Sequence, residues 1–571
     1  MASFLELKKA AKNASDHACR IRISLAGDCA TQHLVTAIKG AFSLKGINAD
    51  IYEAEYDAVS AELLDPGSGL FLHDPEFIIL VLCTEKLYDA YCRETDREGF
   101  AKRHFEEIKT LWDRALSVKD VKLLQTGFIP DDDGVYGNLS GMLPSGFLYQ
   151  TRMLNLLLAD EAMKRGNVHI LELQGIMEQL GRAAFKDDKL WYAARMPYSM
   201  EALPEVAFLA VRRICVLRGD VKKCVILDLD GTLWGGVIGD DGLAGIELGE
   251  LGTGRAYKDV QRFLKELKKR GIILAVCSKN DEDKAMEPFI RHPDMVLKPD
   301  DIACFIANWE DKASNIKKIQ EILNIGFDSM VFLDDNPFER ELVKNFLPEV
   351  TVPELPEDAA LYLSFLKQSG LFEAAGYGGE NESRTRQYRE ETLRVKERES
   401  FNDYDDYLKS LGMEGHAAAF DDFNIPRISE LTLRSNQFNL RTVRYSAEDI
   451  RRVAEDPLYI TLYFKLKDRF GDHGLISVMI MKKEEDTLFI DTLLMSCRVL
   501  KRGVESFILN KAVETGKKAG FKFLKGEYIP TKKNGMVKDL YESLGFEKKE
   551  DGSFILDMES YIPRQVHIRE V

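Results

Sequence analysis

The apolar run Cys224-Val225-Ile226-Leu227 leads straight into Asp228-Leu229-Asp230-Gly231-Thr232. A short apolar strand of this kind, followed by a turn and a helical pattern, belongs in a parallel sheet. At the carboxyl end of such a strand, side chains point into the crevice where these sheets bind ligands. Two carboxylates at positions i and i+2 of an extended segment face the same way. Together Asp228 and Asp230 offer hard oxygens suited to Mg²⁺, which prefers a few carboxylates, waters and phosphate oxygens. Gly231 lets the chain turn sharply after the pair.

Three later segments supply what phosphoryl transfer needs. Ser278, at the end of the strand Ile272 to Cys277, offers a hydroxyl to a phosphate oxygen. Lys312 opens the helix Ala313 to Leu323 and brings a positive charge, while Asp334 and Asp335 end the strand Met330 to Leu333 and complete a metal shell. The expected metal ligands are therefore Asp228, Asp230, Asp334 and Asp335. Asp228 is the expected nucleophile, forming an aspartyl-phosphate. Asp230 is placed to protonate the leaving group and then to activate water. The cation and Lys312 neutralise charge on the equatorial oxygens.

A chain of 571 residues exceeds what one core of about 250–300 residues holds. From Arg20 to Cys215, strand-like runs (21–25, 77–83, 121–126, 168–173) alternate with helical patterns at 100–116 and 149–164, the mark of a parallel α/β domain. The Asp228 unit follows, closed by prolines at 348, 353 and 356. Residues 380–400 carry dense charge of both signs and read as an exposed helix or linker. Beyond Phe401 come strands at 458–466, 475–481 and 487–494 and a helix at 504–519, an α+β pattern. The expected domains are 1–218, 219–375, a linker 376–400, and 401–571.

Against 78 Lys and Arg stand 94 Asp and Glu, a net charge of −16. Nucleic acid and anionic membranes call for clustered basic residues, so neither is an expected partner. The N-terminal stretch to His17 lacks the apolar segment of a signal peptide. Nine scattered cysteines without CxxC pairs fit reduced thiols in a cytoplasm.

The ordered set Asp228/Asp230, Ser278, Lys312 and Asp334/Asp335 resembles the motifs of the haloacid dehalogenase (HAD) superfamily over about Lys222 to Leu355. A narrower resemblance is to its FkbH-like branch. It is carried by Asp230 to Gly242, Val276-Cys277-Ser278-Lys279-Asn280-Asp281 and Asn308-Trp309-Glu310-Asp311-Lys312. Further matches are Ser435 to Asn439, Asp468 to Asp472, Met495-Ser496-Cys497-Arg498 and Gly526 to Pro530. Gly231 departs from the Asn usual in that branch. The resemblance implies a phosphatase and glyceryl transferase that takes 1,3-bisphosphoglycerate, removes phosphate and loads a glyceryl unit onto an acyl carrier protein. The stretch from Asp228 to Cys277 is too short for a large cap, which suits a bulky carrier-borne substrate.

The C-terminal region resembles GNAT acyltransferases. Its Arg498-Val-Leu-Lys501-Arg502-Gly503 run keeps the Arg and second Gly of their pyrophosphate loop, with Lys501 replacing the first Gly. Arg498, Arg502 and Gly503 are thus the candidate contacts for phosphopantetheine or coenzyme A. The N-terminal region resembles an SGNH or flavodoxin-like α/β domain, with Gly27-Asp28-Cys29 after the first strand and Asn138 after Gly137. It lacks an Asp-x-x-His, so a hydrolytic triad has no base and a scaffold or carrier-docking role is expected.

Cys277 carries two readings. It is a small residue filling a buried strand, or its thiolate, activated by Lys279, Lys312 and Mg²⁺, attacks an acyl phosphate and holds the glyceryl group as a thioester. Two alternatives stand beside glyceryl transfer. One is a phosphatase acting on another phosphorylated metabolite or acyl group, with the C-terminal domain moving a different acyl unit. The other is a non-catalytic assembly factor that binds carrier proteins.

Overall fold

The computed structural model describes residues 2–13, 19–376, 394, 401, 403–435, 437–496 and 499–571. It separates into two compact units, Met1–Leu217 and Arg218–Val571. No helix among the described residues is long and apolar enough to cross a membrane.

The first unit is built on five parallel strands: β1 (Cys19–Gly27), β2 (Ile47–Glu53), β3 (Phe77–Val81), β4 (Lys122–Thr126) and β5 (Val168–Leu171). Their order is β2-β1-β3-β4-β5. The alternation of β3 shows why this run is uniformly apolar. Phe77, Ile79 and Val81 pack into one core cluster and Ile78 and Leu80 into the other, so both faces are covered by helices. Helices Phe100–Val118 and Phe147–Arg165 form where the periodicity puts them. Strand β2 went unread in the sequence because its sequence, INADIYE, is a polar-rich alternation at the sheet edge.

The second unit contains two sheets. Strands β6 (Cys224–Leu227), β7 (Ile273–Ser278), β8 (Cys304–Ala307) and β9 (Met330–Leu333) are parallel, in the order β8-β7-β6-β9. The chain moves outward from β6 to β7 and β8, then returns to the other side of β6 as β9. The order therefore reverses between β6 and β9, the place where open α/β sheets bind ligands.

The other sheet comprises β10 (Met413–Ala418), β11 (Tyr459–Asp468), β12 (Gly471–Glu484), β13 (Thr487–Met495), β14 (Phe523–Gly526), β15 (Glu547–Lys548), β16 (Phe554–Asp557) and β17 (Ile568–Glu570). It is mostly antiparallel. β13 and β14 run parallel, joined by the helix Val504–Lys518 crossing over the sheet. This is the expected α+β architecture. One residue of the segment read as an exposed linker is described, and it corrects that reading locally. Arg394 is fully buried and grips Asp468 with two bonds of 2.7 Å.

Candidate active site

The backbone of β6 delivers Asp228 and that of β9 delivers Asp334, and the two strands are tied by Asp228 N donating to the Leu333 carbonyl at 2.9 Å. Lys312, first residue of the helix Lys312–Leu323, reaches between them. Its ammonium lies 2.8 Å from Asp228 Oδ1 and 2.5 Å from Asp334 Oδ2. All three are buried, Lys312 at 3% and Asp334 at 0% exposure, so their mutual attraction replaces lost hydration. Asp311 caps the helix by accepting from Ser314 N at 2.8 Å, which fixes where Lys312 begins.

The electrostatics follow from this packing. Burial raises Asp228 to about 6, with Asp334 adding to the rise and Lys312 opposing it. Burial also raises Asp334 against the pull of Lys312, and raises Asp335, where Asp228 adds to the effect. Burial alone would lower Lys312, but the two carboxylates outweigh it and hold the ammonium charged.

Asp228, Asp334 and Asp335 each present an oxygen, all within 4.8 Å of one another. Three hard carboxylates at that spacing fit Mg²⁺. Two further groups support the Asp334-Asp335 turn. Arg340, buried at 6% exposure, donates to the carbonyls of Asp334 and Asp335 at 2.9 and 2.6 Å. Thr232 Oγ1 accepts from Asp335 N at 3.1 Å.

Asp230 corrects the expected ligand set. Its carboxylate lies outside this trio: Oδ1 accepts from Trp234 Nε1 at 2.8 Å and from Ile238 N at 3.0 Å, and Oδ2 from Asn280 Nδ2 at 2.8 Å. Three donors aimed at one carboxylate fix its orientation and engage both of its oxygens away from that trio. The same Asn280 amide lies 3.2 Å from Ser278 Oγ, linking the Ser278 hydroxyl to the Asp230 carboxylate. Asn280 enters the sequence reading only as part of the Val276 to Asp281 run, with no role of its own, and Arg340 does not enter it. Asn280 lies two residues after Ser278, a spacing that could have flagged it. Arg340 gives no local signal.

Cys277 corrects a second expectation. Along β7, Leu274 and Val276 join one core cluster while Ile273, Ala275 and Cys277 join the other, beside Ala313 and Ile316. The thiol is 0% exposed and lies 3.8 Å from the Lys312 carbonyl. Burial pushes it far above the ordinary thiol range, and Lys312 does not offset that. The strand period turns it into the core, so it is not an activated thiolate facing the crevice.

In the C-terminal sheet, Arg498 lies outside the described residues. Gly503 begins the helix Val504–Lys518 with φ +79°, and Lys501 keeps the left-handed φ of +62° that a glycine would favour. Arg502 corrects the loop reading. It is buried at 4% exposure, with Nη1 3.2 Å from His473 Nε2 and 3.6 Å from Asp468 Oδ2, so its charge is spent inward. The Lys501 amide donates to the chain's own Glu505 at 3.3 Å.

In the first unit, Asp28 and Cys29 follow β1, and Cys29 lies beside Cys83 and the Val81 carbonyl. Asn138 is exposed on a short turn.

Residues 22–215 match the model of the FkbH N-terminal domain family. The N-terminal part of protein BF1531 from Bacteroides fragilis, a solved structure containing a phosphatase domain complexed with Mg, is 41% identical. It superposes with a TM-score of 0.63 over 66% of this chain and all of that one. A HAD-like hydrolase superfamily protein of Schizosaccharomyces pombe is 29% identical over 164 residues, 26% of this chain and 94% of that protein. The GNAT family N-acetyltransferase YhbS from Escherichia coli is 13% identical, with a TM-score of 0.20 over 26% of this chain and 82% of that one, too slight a likeness to argue from. With its Asp228–Lys312–Asp334 centre at the switch point and a relative of 41% identity matched along its whole length, the chain belongs to the FkbH-like HAD phosphatases.

Proposed function

We propose that this phosphatase is Mg²⁺-dependent, acts on 1,3-bisphosphoglycerate and loads a glyceryl unit onto an acyl carrier protein. The observation that carries the phosphoryl-transfer step is the Lys312 ammonium held between Asp228 and Asp334 beside Asp335. A buried carboxylate kept ionised by a neighbouring ammonium is a nucleophile with its hydration already removed.

Asp228, Asp334 and Asp335 would hold the cation, which supplies Lewis acidity to the phosphoryl oxygens. Asp228 attacks the phosphorus of the C3 phosphate ester as the bond to the leaving oxygen breaks, and that oxygen takes its proton from Asp230. At the other end the carrier's pantetheine thiol gives its proton to solvent and attacks the C1 carbonyl, displacing the C1 phosphate as the thioester forms. Ser278 Oγ and Lys312 Nζ stabilise the transferring group. Asp230 then removes a proton from water, which attacks the same phosphorus, releasing phosphate and restoring the Asp228 carboxylate. Trp234, Ile238 and Asn280 keep Asp230 aimed for both proton transfers.

Two features support a bulky acceptor: the short connection from Asp228 to β7, and the indole of Trp309, 72% exposed just before Lys312. The test is incubation with 1,3-bisphosphoglycerate, Mg²⁺ and carrier proteins, reading phosphate release and carrier mass. Wild type should release phosphate and add a glyceryl mass to one carrier, and Asp228→Asn should abolish release of the C3 ester phosphate without losing its fold. Phosphate release with no mass gain on any carrier would reduce the reading to a phosphatase. Near-normal release by Asp228→Asn would overturn the nucleophile.

A further inference from the structure

The first unit contains a second crevice that phosphoryl transfer does not use. Its strand order reverses between β1 and β3, so the carboxyl ends of these neighbours form a switch point of their own. Asp28 and Cys29 follow β1, and Cys83 follows β3 at the corresponding level. One carboxylate oxygen of Asp28 and the sulfurs of Cys29 and Cys83 all lie within 4.8 Å of one another. The carboxylate is already oriented, since the Cys83 amide donates to its two oxygens at 3.0 and 3.3 Å. The two cysteines are 1% and 3% exposed.

A second observation is independent of this cluster. Tyr198, 4% exposed, lines the cleft that Cys83, Thr84, Glu85, Asp131 and Lys186 also line. Its hydroxyl finds no hydrogen-bond partner among the described residues. Leaving a buried hydroxyl unpaired is costly, so a polar group belongs opposite it.

We propose that Asp28, Cys29 and Cys83 bind a thiolate-preferring divalent transition metal, Zn²⁺ being the best match, with the Tyr198 hydroxyl facing its remaining coordination position. Two sulfurs and one carboxylate are a poor set for Mg²⁺ and a good one for Zn²⁺. Metal–sulfur bonds of about 2.3 Å in a tetrahedron bring ligand atoms to within 4 Å of each other, close to the present spacing. Three protein ligands leave one position for water, which could donate to or accept from Tyr198. On binding, each thiol gives its proton to solvent and its sulfur lone pair to the metal, with no change in oxidation state. The Cys83 amide does for Asp28 what supporting hydrogen bonds do in metal sites generally, fixing the ligand's direction.

The test uses the full-length protein, reduced with a phosphine and saturated with Mg²⁺ so that the phosphatase carboxylates are occupied. Co²⁺ alone is titrated in. The expected result is one equivalent bound with a sulfur-to-cobalt charge-transfer band and tetrahedral visible bands, all bleached by one equivalent of Zn²⁺. Cys29→Ser, Cys83→Ser and Asp28→Asn should each weaken Co²⁺ binding by roughly 10-fold or more. A charge-transfer band that persists undiminished in both cysteine variants would overturn the assignment. Should a buried Cys→Ser change unfold the domain, the wild-type titration still decides: no charge-transfer band means no such site.

Discussion

Gly231 sits so close to Asp335 that a Cβ built on it would fall 2.3 Å from Asp335 Oδ2. Gly231 also has φ +70°, in the left-handed region that disfavours a side chain. Two costs therefore meet at this turn, backbone strain and displacement of a carboxylate of the proposed metal site. Gly231→Ala should lose about 1–2 kcal/mol of stability from strain and need more Mg²⁺ for half-maximal activity. Gly231→Asn should lose less stability, because Asn tolerates the left-handed region. Chemical denaturation and a Mg²⁺ titration of phosphate release check both. An Ala variant with unchanged Mg²⁺ demand would show that Asp335 is no ligand.

Lys312 is as much a structural cation as a chemical one. Lys312→Met keeps much of the side-chain volume but leaves Asp228 and Asp334 buried without their shared partner. Breaking such a pair costs about 3–5 kcal/mol. In EDTA the variant should be destabilised by that order, and saturating Mg²⁺ should return part of it, since the metal replaces the missing charge. Equal melting of variant and wild type in EDTA would contradict the buried triad.

Cys277→Ala should leave phosphate release close to wild type and cost about 1 kcal/mol of stability through a small cavity. Native protein should also resist alkylation at this position, since the thiol is fully buried. A variant that folds normally but has lost activity would return Cys277 to the chemistry.

Asp228, Lys312 and Asp334 were legible in the sequence because each ends or begins a regular element, and the parallel topology then forces those ends together. Strand β8, with only four residues and one cysteine in its run, carried too little periodicity to be recognised. Asp230 shows the limit of spacing arguments. Two residues apart on an extended chain do face one way, but the turn at Gly231 intervenes and Trp234, Ile238 and Asn280 offer three donors. Arg502 fails for a related reason. A linear motif names the residue, whereas its direction is decided by Asp468 and His473, which lie on or next to β11 and β12 and attract the guanidinium inward. Arg394 was misread because a dense charge run averages away the one residue that pairs with a buried carboxylate.

Trp309 separates the two halves of the proposed activity. Its Nε1 donates to Asp281 Oδ1 at 3.0 Å, which holds the indole in place while leaving it largely exposed. Exposed aromatic residues at a site mouth often carry much of a protein–protein contact. Trp309→Ala should hydrolyse a small aryl phosphate at close to the wild-type rate. Its glyceryl transfer to a carrier protein should fall by about 2 kcal/mol, roughly 30-fold in kcat/KM for the carrier. Equal losses on both substrates would mean that Trp309 serves the phosphoryl site itself.

Two buried histidines set an acid limit to stability. Burial pushes His169 on β5 down to about 3, with Arg213 and Lys122 adding to the effect. Burial pushes His473 on β12 down to about 4, helped by Arg502 and Arg394 and opposed by its bond to Asp468. The folded chain keeps both neutral where the unfolded chain binds protons near 6.5. Below that pH the unfolded state binds more protons, so stability falls as pH drops from 6.5 towards 4. Each pKa unit is worth about 1.4 kcal/mol, so the loss by pH 5 should reach a few kcal/mol. Asp228 runs the other way: its folded value near 6 lies above the unfolded 3.8, so protonation below pH 6 favours the folded state and offsets part of the loss. Urea unfolding in EDTA at pH 7.5, 6.5, 5.5 and 5.0 measures the net slope. His473→Asn should flatten that slope for the second unit and leave the first unit's unchanged. An unaltered slope in the variant would show that His473 does not titrate on unfolding in this window.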